Sequence, residues 1–372
     1  MDLSLNETQQ LIRDAVTEVV RKDFARDALL QLDDSERGIT PELWQRTAEL
    51  GWMGMLIPED YAGYGNSHTD VAVLFEALGR GPVPGPYFSS GVLGALLLLE
   101  GATQAQKREW LPRVATGEEI LAPAITEADF GWKPNKISAR ARKTPDGWIL
   151  DGIKLFVPDA LIATHLIAVV RDDDDEISLM RVPTDSTGIS IRTLEGFIAS
   201  SAEVRFEQVK VGDDALIGGE PGGGWGTLER AMQRAIPIIC AYKVGGCAAV
   251  FDLSVEYSRE RQQFGQPIGR FQRVQDHIIH IVNYLDAARW TTYEALWKLD
   301  EGRDVGASIH LAKAVASESY LRACDYAHEV HAGMGVMREY GLTLHTKMSR
   351  SLYHLLGNPK HHRRGIAAAL EL

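Results

Sequence analysis

The periodicity of apolar residues changes twice along these 372 residues, and that limits the fold more than any other feature. Up to about residue 120 the pattern is helical. Asn6 with Gln9 has the form of a capping box, and Leu11, Ile12, Ala15, Val16, Val19 and Val20 then recur on one helical face. A second helix is predicted over 41–51, followed by a Gly- and Pro-punctuated turn region, and two further helical runs at 71–79 and 91–100. From 121 short alternating runs take over (LAPAIT, ISARARKT, GWILDGIKLFV, LIAVVR, ISLMRV, ISIRTL, AEVRFEQVKV), separated by turn signals. Evenly spaced short strands predict a small β-barrel or sandwich. The glycine-rich 218–226 reads as a connector, because no strand precedes it and no GK[ST] follows. Helical periodicity then runs almost to the end, with Ile309, Ala312, Val315, Ala316, Tyr320, Ala323, Ala327 and Val330 marking one face of a long helix. The predicted fold class is α+β, with a helical domain over 1–120, a β domain over 121–220 and a helical bundle over 221–372.

The net charge of −12 argues against a nucleic-acid partner. Three cysteines, Cys240, Cys247 and Cys324, form no CxxC pair and are too few for a disulfide framework, which points to a reducing compartment. The first ten residues lack a basic leader with an apolar core, and the apolar run 92–99 is too short to cross a bilayer. A cytoplasmic protein without a membrane partner is expected. The acidic run 172–175 reads as a solvated hairpin tip. His354, His361 and His362, beside Arg363 and Arg364, lack the fixed spacing of a metal set and read as a positively charged tail or a phosphate or helix contact. Cys240 and Cys247 share a helical face and read as packing residues. Tyr242 and Lys243 on that helix face either a ligand cavity or a surface or interface.

The stretch 257–272, YSRERQQFGQPIGRFQ, carries the chemistry. Arg261 offers a fork of donors suited to a diphosphate, Phe264 offers a ring, and Gly265 lets the backbone turn sharply. In this order the residues resemble a signature of the acyl-CoA dehydrogenase family. Other landmarks extend the resemblance over essentially the whole chain: the turn at 53–63, Thr126-Glu127, Asp151-Gly152-Ile153-Lys154, and Val330-His331-Ala332-Gly333-Met334-Gly335, similar to the family's "G-G-x-G" loop. The resemblance implies an FAD cofactor shared across a subunit interface, an acyl-CoA substrate, an electron-transfer acceptor, and assembly as a homo- or hetero-oligomer. It assigns cofactor binding to Thr126, Phe156, Arg261, Gln263, Phe264, Gln272, Glu329, Gly333 and Gly335.

The same resemblance exposes a loss. The family chemistry needs a carboxylate to remove the α-proton of the acyl thioester while the flavin takes hydride from the β-carbon. Where most members carry Glu in a "Y-E-G-T" element, this chain has Leu356; the alternative position, counted back from the QFG element through Gly245, is Ala235. No catalytic residue is therefore assigned, unless Glu127 substitutes. The ring site also departs from the pattern, with Trp132 where a small Ser is usual and Phe156-Val157-Pro158 in place of Trp-Ile-Thr. The ending 355–363, LLGNPKHHR, resembles bacterial members acting on steroid and other bulky acids, some of which pair a catalytic subunit with a baseless one. The expected function is the base-lacking component of such an enzyme. A non-redox structural or binding paralogue, and a flavoprotein acting on an acyl-CoA by different chemistry, remain the alternatives.

Overall fold

A computed structural model describes residues 4–194 and 201–372. Helices α1 (Glu7–Asp23), α2 (Arg26–Asp34), α3 (Pro41–Glu49), α4 (His68–Arg80), α5 (Ala95–Gly101) and α6 (Gln104–Ala115) come first. Seven strands follow: β1 (Leu121–Ala124), β2 (Arg140–Thr144), β3 (Gly147–Pro158), β4 (His165–Arg171), β5 (Ile177–Pro183), β6 (Ile189–Thr193) and β7 (Ser201–Val211). The long helix α7 (Gly224–Glu260) leads to a hairpin, β8 (Gln262–Gln263) with β9 (Gln266–Pro267), and then to α8 (Gln272–Asp300), α9 (Gly306–His331), α10 (Leu342–His354) and α11 (Pro359–Ala369). Contacts group the chain into two compact units, one of residues 1–34, 67–83 and 236–372, the other of 35–66 and 84–235.

The β unit holds one curled, seven-stranded mixed sheet of order β1-β4-β2-β3-β7-β6, with β5 on the free edge of β4. Parallel pairing of β1 with β4 is the feature that a string of alternating runs does not reveal, since hairpins alone would give antiparallel neighbours. Alternation buries Ala202, Val204 and Phe206 on β7. A bulge then resets the phase: Gln208 takes φ +53°, its N–H donates to Asp151 Oδ1 at 2.8 Å, and Val209 points inward again. The acidic run 172–175 is the turn between antiparallel β4 and β5, and it is not wholly solvated. Asp172 is buried and accepts from the N–H groups of Asp174 and Glu176 and from the Ser178 hydroxyl.

In the helical unit the Asn6–Gln9 capping box forms as predicted. In α9 seven of the eight residues marked as one face are buried, with Val315 at its margin. Helix α7 is apolar and long enough to cross a membrane by composition, yet 72% of its most apolar window is buried within the protein, which makes it a core helix. Its closest approach to α4 is made by two glycines. A methyl added at Gly245 would stand 1.9 Å from the Glu76 carbonyl oxygen, and one at Gly79 would stand 1.9 Å from that of Tyr242. The backbones touch there, so neither position admits a side chain. Gly245→Ala should lower unfolding free energy by about 1–3 kcal/mol, as for an overpacked core; a chemical-denaturation midpoint equal to wild type would show that the helices yield.

Candidate functional site

Strand β3 shows how one short segment presents opposite chemistries on alternate residues, which a regular strand would place on one face. Lys154 points inward and is 0% exposed; a second bulge, between Lys154 and Val157, then puts Phe156 at φ +52° and leaves it 50% exposed. Bulges re-aim side chains at functional sites, and the positive φ of a bulky residue is a strain that the surrounding ladder sustains. The Leu155 N–H donates to the Thr126 carbonyl at 2.8 Å, so the structure brings Thr126 beside Phe156 as the motif order implied. The aromatic neighbour of Phe156 was not foreseen. It is Phe130, also at positive φ (+55°), with ring centroids 5.7 Å apart and planes tilted 40°. Trp132, expected to be the bulky intruder, is half-buried, while Phe130 is the residue that packs on the presented ring.

Glu127, named as an example of an acid from elsewhere that could substitute as base, is occupied. Its carboxylate accepts from Lys154 Nζ at 2.6 Å, from the Ser138 N–H at 2.8 Å, from the Ala139 N–H at 3.1 Å, and from the Ser138 hydroxyl. Burial alone would push Glu127 up, but Lys154 and the Ser138 donors outweigh it and hold the carboxyl below the usual range. Burial brings Lys154 down to about 8 against the pull of the carboxylate. A carboxylate with four donors is a strut, not a proton acceptor.

In the helical unit, α7 ends at Glu260 and the QFG element forms a two-residue hairpin between β8 and β9. Phe264 at φ +51° and Gly265 at φ +79° make both central residues left-handed, the geometry that matches strand twist in the tightest hairpins. Gly265 accepts this freely, whereas Phe264 is strained, 92% exposed, and meets Phe271 edge-on. Arg261 is exposed, and no hydrogen bond or ion pair engages its guanidinium among the described residues. Gln263 donates to the neighbouring Gln262 carbonyl, and Gln272, the first residue of α8, is exposed. Glu329 is exposed near the end of α9. Ala332 takes φ +48° just after that helix, a conformation better suited to glycine. The two following glycines differ. A methyl at Gly335 would press on His328 and His331, so Gly335 serves internal packing, whereas nothing lies within 4 Å of one at Gly333, whose bareness leaves room for a group from outside the chain.

A free guanidinium, a solvated aromatic ring and an unfilled glycine are a donor set and cradle that fit a diphosphate-bearing, ring-bearing cofactor such as FAD. The base positions contrast with this. Leu356 is 3% exposed in a turn with φ +54°, and Ala235 is fully buried. The nearest acids to Ala235 in the sequence are engaged: Glu229 accepts from the Trp225 indole at 2.8 Å, and Asp252 pairs with Arg80. One further reading needs correction. Tyr242 and Lys243 line neither a surface nor an interface, since both are buried, with Tyr242 donating to the Val83 carbonyl and Lys243 to Ser317. Of the roles expected for the tail histidines, contact with a neighbouring helix is met: His362 Nδ1 lies 2.9 Å from Nδ1 of His310 on α9, and burial pushes His361 down and His362 to about 3.

Comparison with known proteins matches three family profiles in succession: acyl-CoA dehydrogenase N-terminal domain over residues 6–118, middle domain over 122–209 and C-terminal domain over 222–371. Probable acyl-CoA dehydrogenase YngJ of Bacillus subtilis is 30% identical across 92% of both chains. Among solved structures, an FAD complex of PigA superposes with TM-score 0.93 at 26% identity over the whole of both chains. A variant of a Tcur3481-Tcur3483 steroid ACAD superposes with TM-score 0.87 at 25% identity over 99% of each.

Replacing Lys154 by Met should cost about 3–5 kcal/mol at pH 7, because it leaves a buried carboxylate without its cation. Glu127 has a depressed folded-state pKa, so its contribution is present above its unfolded value and is lost as pH falls through the folded one. The difference between Lys154→Met and wild type should therefore shrink on acidification in urea titrations. A difference that stays constant down to pH 3 would mean the pair is not the source.

Proposed function

The chain belongs to the acyl-CoA dehydrogenase family, and on that premise we propose that it is the FAD-holding, base-lacking component of a heteromeric acyl-CoA dehydrogenase. The family places it among flavin-dependent oxidoreductases. FAD, when bound, supplies the acceptor for the hydride leaving the β-carbon of the acyl thioester. This chain's residues would hold it: Arg261 on a diphosphate oxygen, Phe264 against a flat face, Gln263, Gln272, Glu329, Gly333 and Gly335 about the polar half, Thr126 and Phe156 at the ring.

The observation that carries the base-lacking reading is the state of every position where a base is due. Leu356 and Ala235 have no proton-accepting atom, and the carboxylate of Glu127 is consumed by Lys154 and the Ser138–Ala139 backbone. A partner subunit of the same family then supplies the base, and a separate acceptor takes the electrons. The tail sequence and the likeness to a steroid ACAD named for two gene products favour a bulky or cyclic acyl group. Three buried free cysteines fit a cytoplasmic setting.

The test is the visible spectrum of the chain alone and co-expressed with a second family member encoded beside it, followed by addition of acyl-CoA. Flavin absorbance and bleaching only in the co-purified assembly are expected. Stoichiometric FAD bleached by acyl-CoA in the isolated chain would overturn the reading. No FAD even with the partner would favour a non-redox paralogue, and acyl-CoA turnover without an electron acceptor would favour different chemistry. In the assembly, Arg261→Ala should weaken FAD retention about ten- to a hundredfold, the worth of a charge-assisted hydrogen bond, with helical content unchanged. Unaltered retention would remove Arg261 from the site.

A further inference from the structure

Two lysines lie in the dry interior of the helical unit with no acid to meet them. Lys243 on α7 and Lys313 on α9 are each at most 1% exposed, as is Ser317 one turn beyond Lys313. Lys243 Nζ lies 2.7 Å and Lys313 Nζ 3.1 Å from the Ser317 hydroxyl oxygen, and Lys313 Nζ donates to the Gly357 carbonyl at 2.9 Å. Among the described residues neither amine is paired with a carboxylate. The titratable groups facing them are Cys240 and Cys247 from α7, His354 from α10, and His361 and His362 from α11. Burial pushes both thiols up and His361 and His362 down, so these four supply no negative charge.

A buried ammonium without a counter-ion is costly, and two of them around one hydroxyl repel as well. The opposite case, two carboxylates sharing one proton, is the familiar resolution of such crowding. We propose that Lys243 and Lys313 form a dyad holding a single proton, whose directed hydrogen bonds tie α7 to the turn at Gly357. The Lys243 ammonium donates to Ser317, the Ser317 hydroxyl donates to the Lys313 amine, and Lys313 donates to the Gly357 carbonyl. Two ammonium groups would both donate to the lone pairs of the one Ser317 oxygen and face each other across it with no counter-ion, whereas with a single proton the hydroxyl accepts from one lysine and donates to the other. Burial disfavours the charged form of both lysines, and the shorter contact to Ser317, 2.7 Å against 3.1 Å, puts the ammonium on Lys243.

The turn so held is strained, with Leu356 at φ +54° and Gly357 at φ +97°. Its other carbonyl, that of Leu356, accepts from His362 Nε2 at 2.9 Å, while His362 Nδ1 faces His310 Nδ1 at 2.9 Å. Both straps on the turn are thus bases whose charged forms burial disfavours. A second proton on the dyad reverses the Ser317 bond and sets the two lysines against each other across that hydroxyl, while Lys313 keeps its donation to the Gly357 carbonyl. This inference stands whether or not the chain binds FAD.

Lysine 13Cε and 15Nζ shifts of the full-length protein at pH 7 test it, with Lys243→Met and Lys313→Met assigning the two signals. One ammonium and one neutral amine are expected. Two ammonium signals, or two neutral ones, would overturn the dyad without recourse to any variant. Thermal melting provides the second arm. Lys243→Met should raise Tm by about 2 °C, because an uncompensated charge is replaced by apolar volume. Lys313→Met should lower it, because the Gly357 carbonyl loses its donor. Equal losses in the two variants would overturn the directed relay.

Discussion

Taking a carboxylate out of water obliges the chain to surround it with donors, and Glu127 meets that obligation in a way that organises the β unit. Its four donors come from Lys154 on β3 and from the Ser138 hydroxyl and the Ser138 and Ala139 N–H groups that lead into β2, so the loop after β1 is fastened at both ends. With the loop fixed, Thr126 lies against Leu155 and the bulge at Phe156 has a rigid base from which to face outward. The buried ion pair adds little net stability by comparison with a well-packed apolar pair, but it is strict about geometry. That strictness is what a ring-presenting surface requires.

The broad architecture was legible because it rests on periodicity and caps. The apolar face of α9, the Asn6–Gln9 box and the turn at 172–175 follow from spacing alone. The sheet was legible as strands but not as a topology, because the β1–β4 parallel pairing joins segments about forty residues apart and leaves no local trace. The bulges at Gln208 and Phe156 were hidden for a related reason, since a change of phase is defined only against a partner strand.

The candidate site divides along the same line. Arg261, Phe264 and Gly265 could be read from a compact motif whose turn chemistry is local. Phe130 could not, because its place beside Phe156 depends on two left-handed residues in separate segments. Lys243 misled in the opposite way. Lysine is so rarely buried that composition argues for a surface or a cavity wall, and only the packing of α7 against α9 shows an amine sealed inside. That Leu356 and Ala235 carry no proton-accepting atom, by contrast, is a matter of residue identity and needed no fold to be seen.

The paired glycines between α4 and α7 impose a different kind of limit. Helices that meet through side chains can settle into neighbouring registers by repacking, and so can drift over many generations of substitution. Where backbone meets backbone at Gly79 and Gly245 there is nothing to repack, and the two helices mesh in one register only. Such a contact acts as a datum for the helical unit: sequence elsewhere is free to diverge without moving the frame from which the rest of the unit is measured.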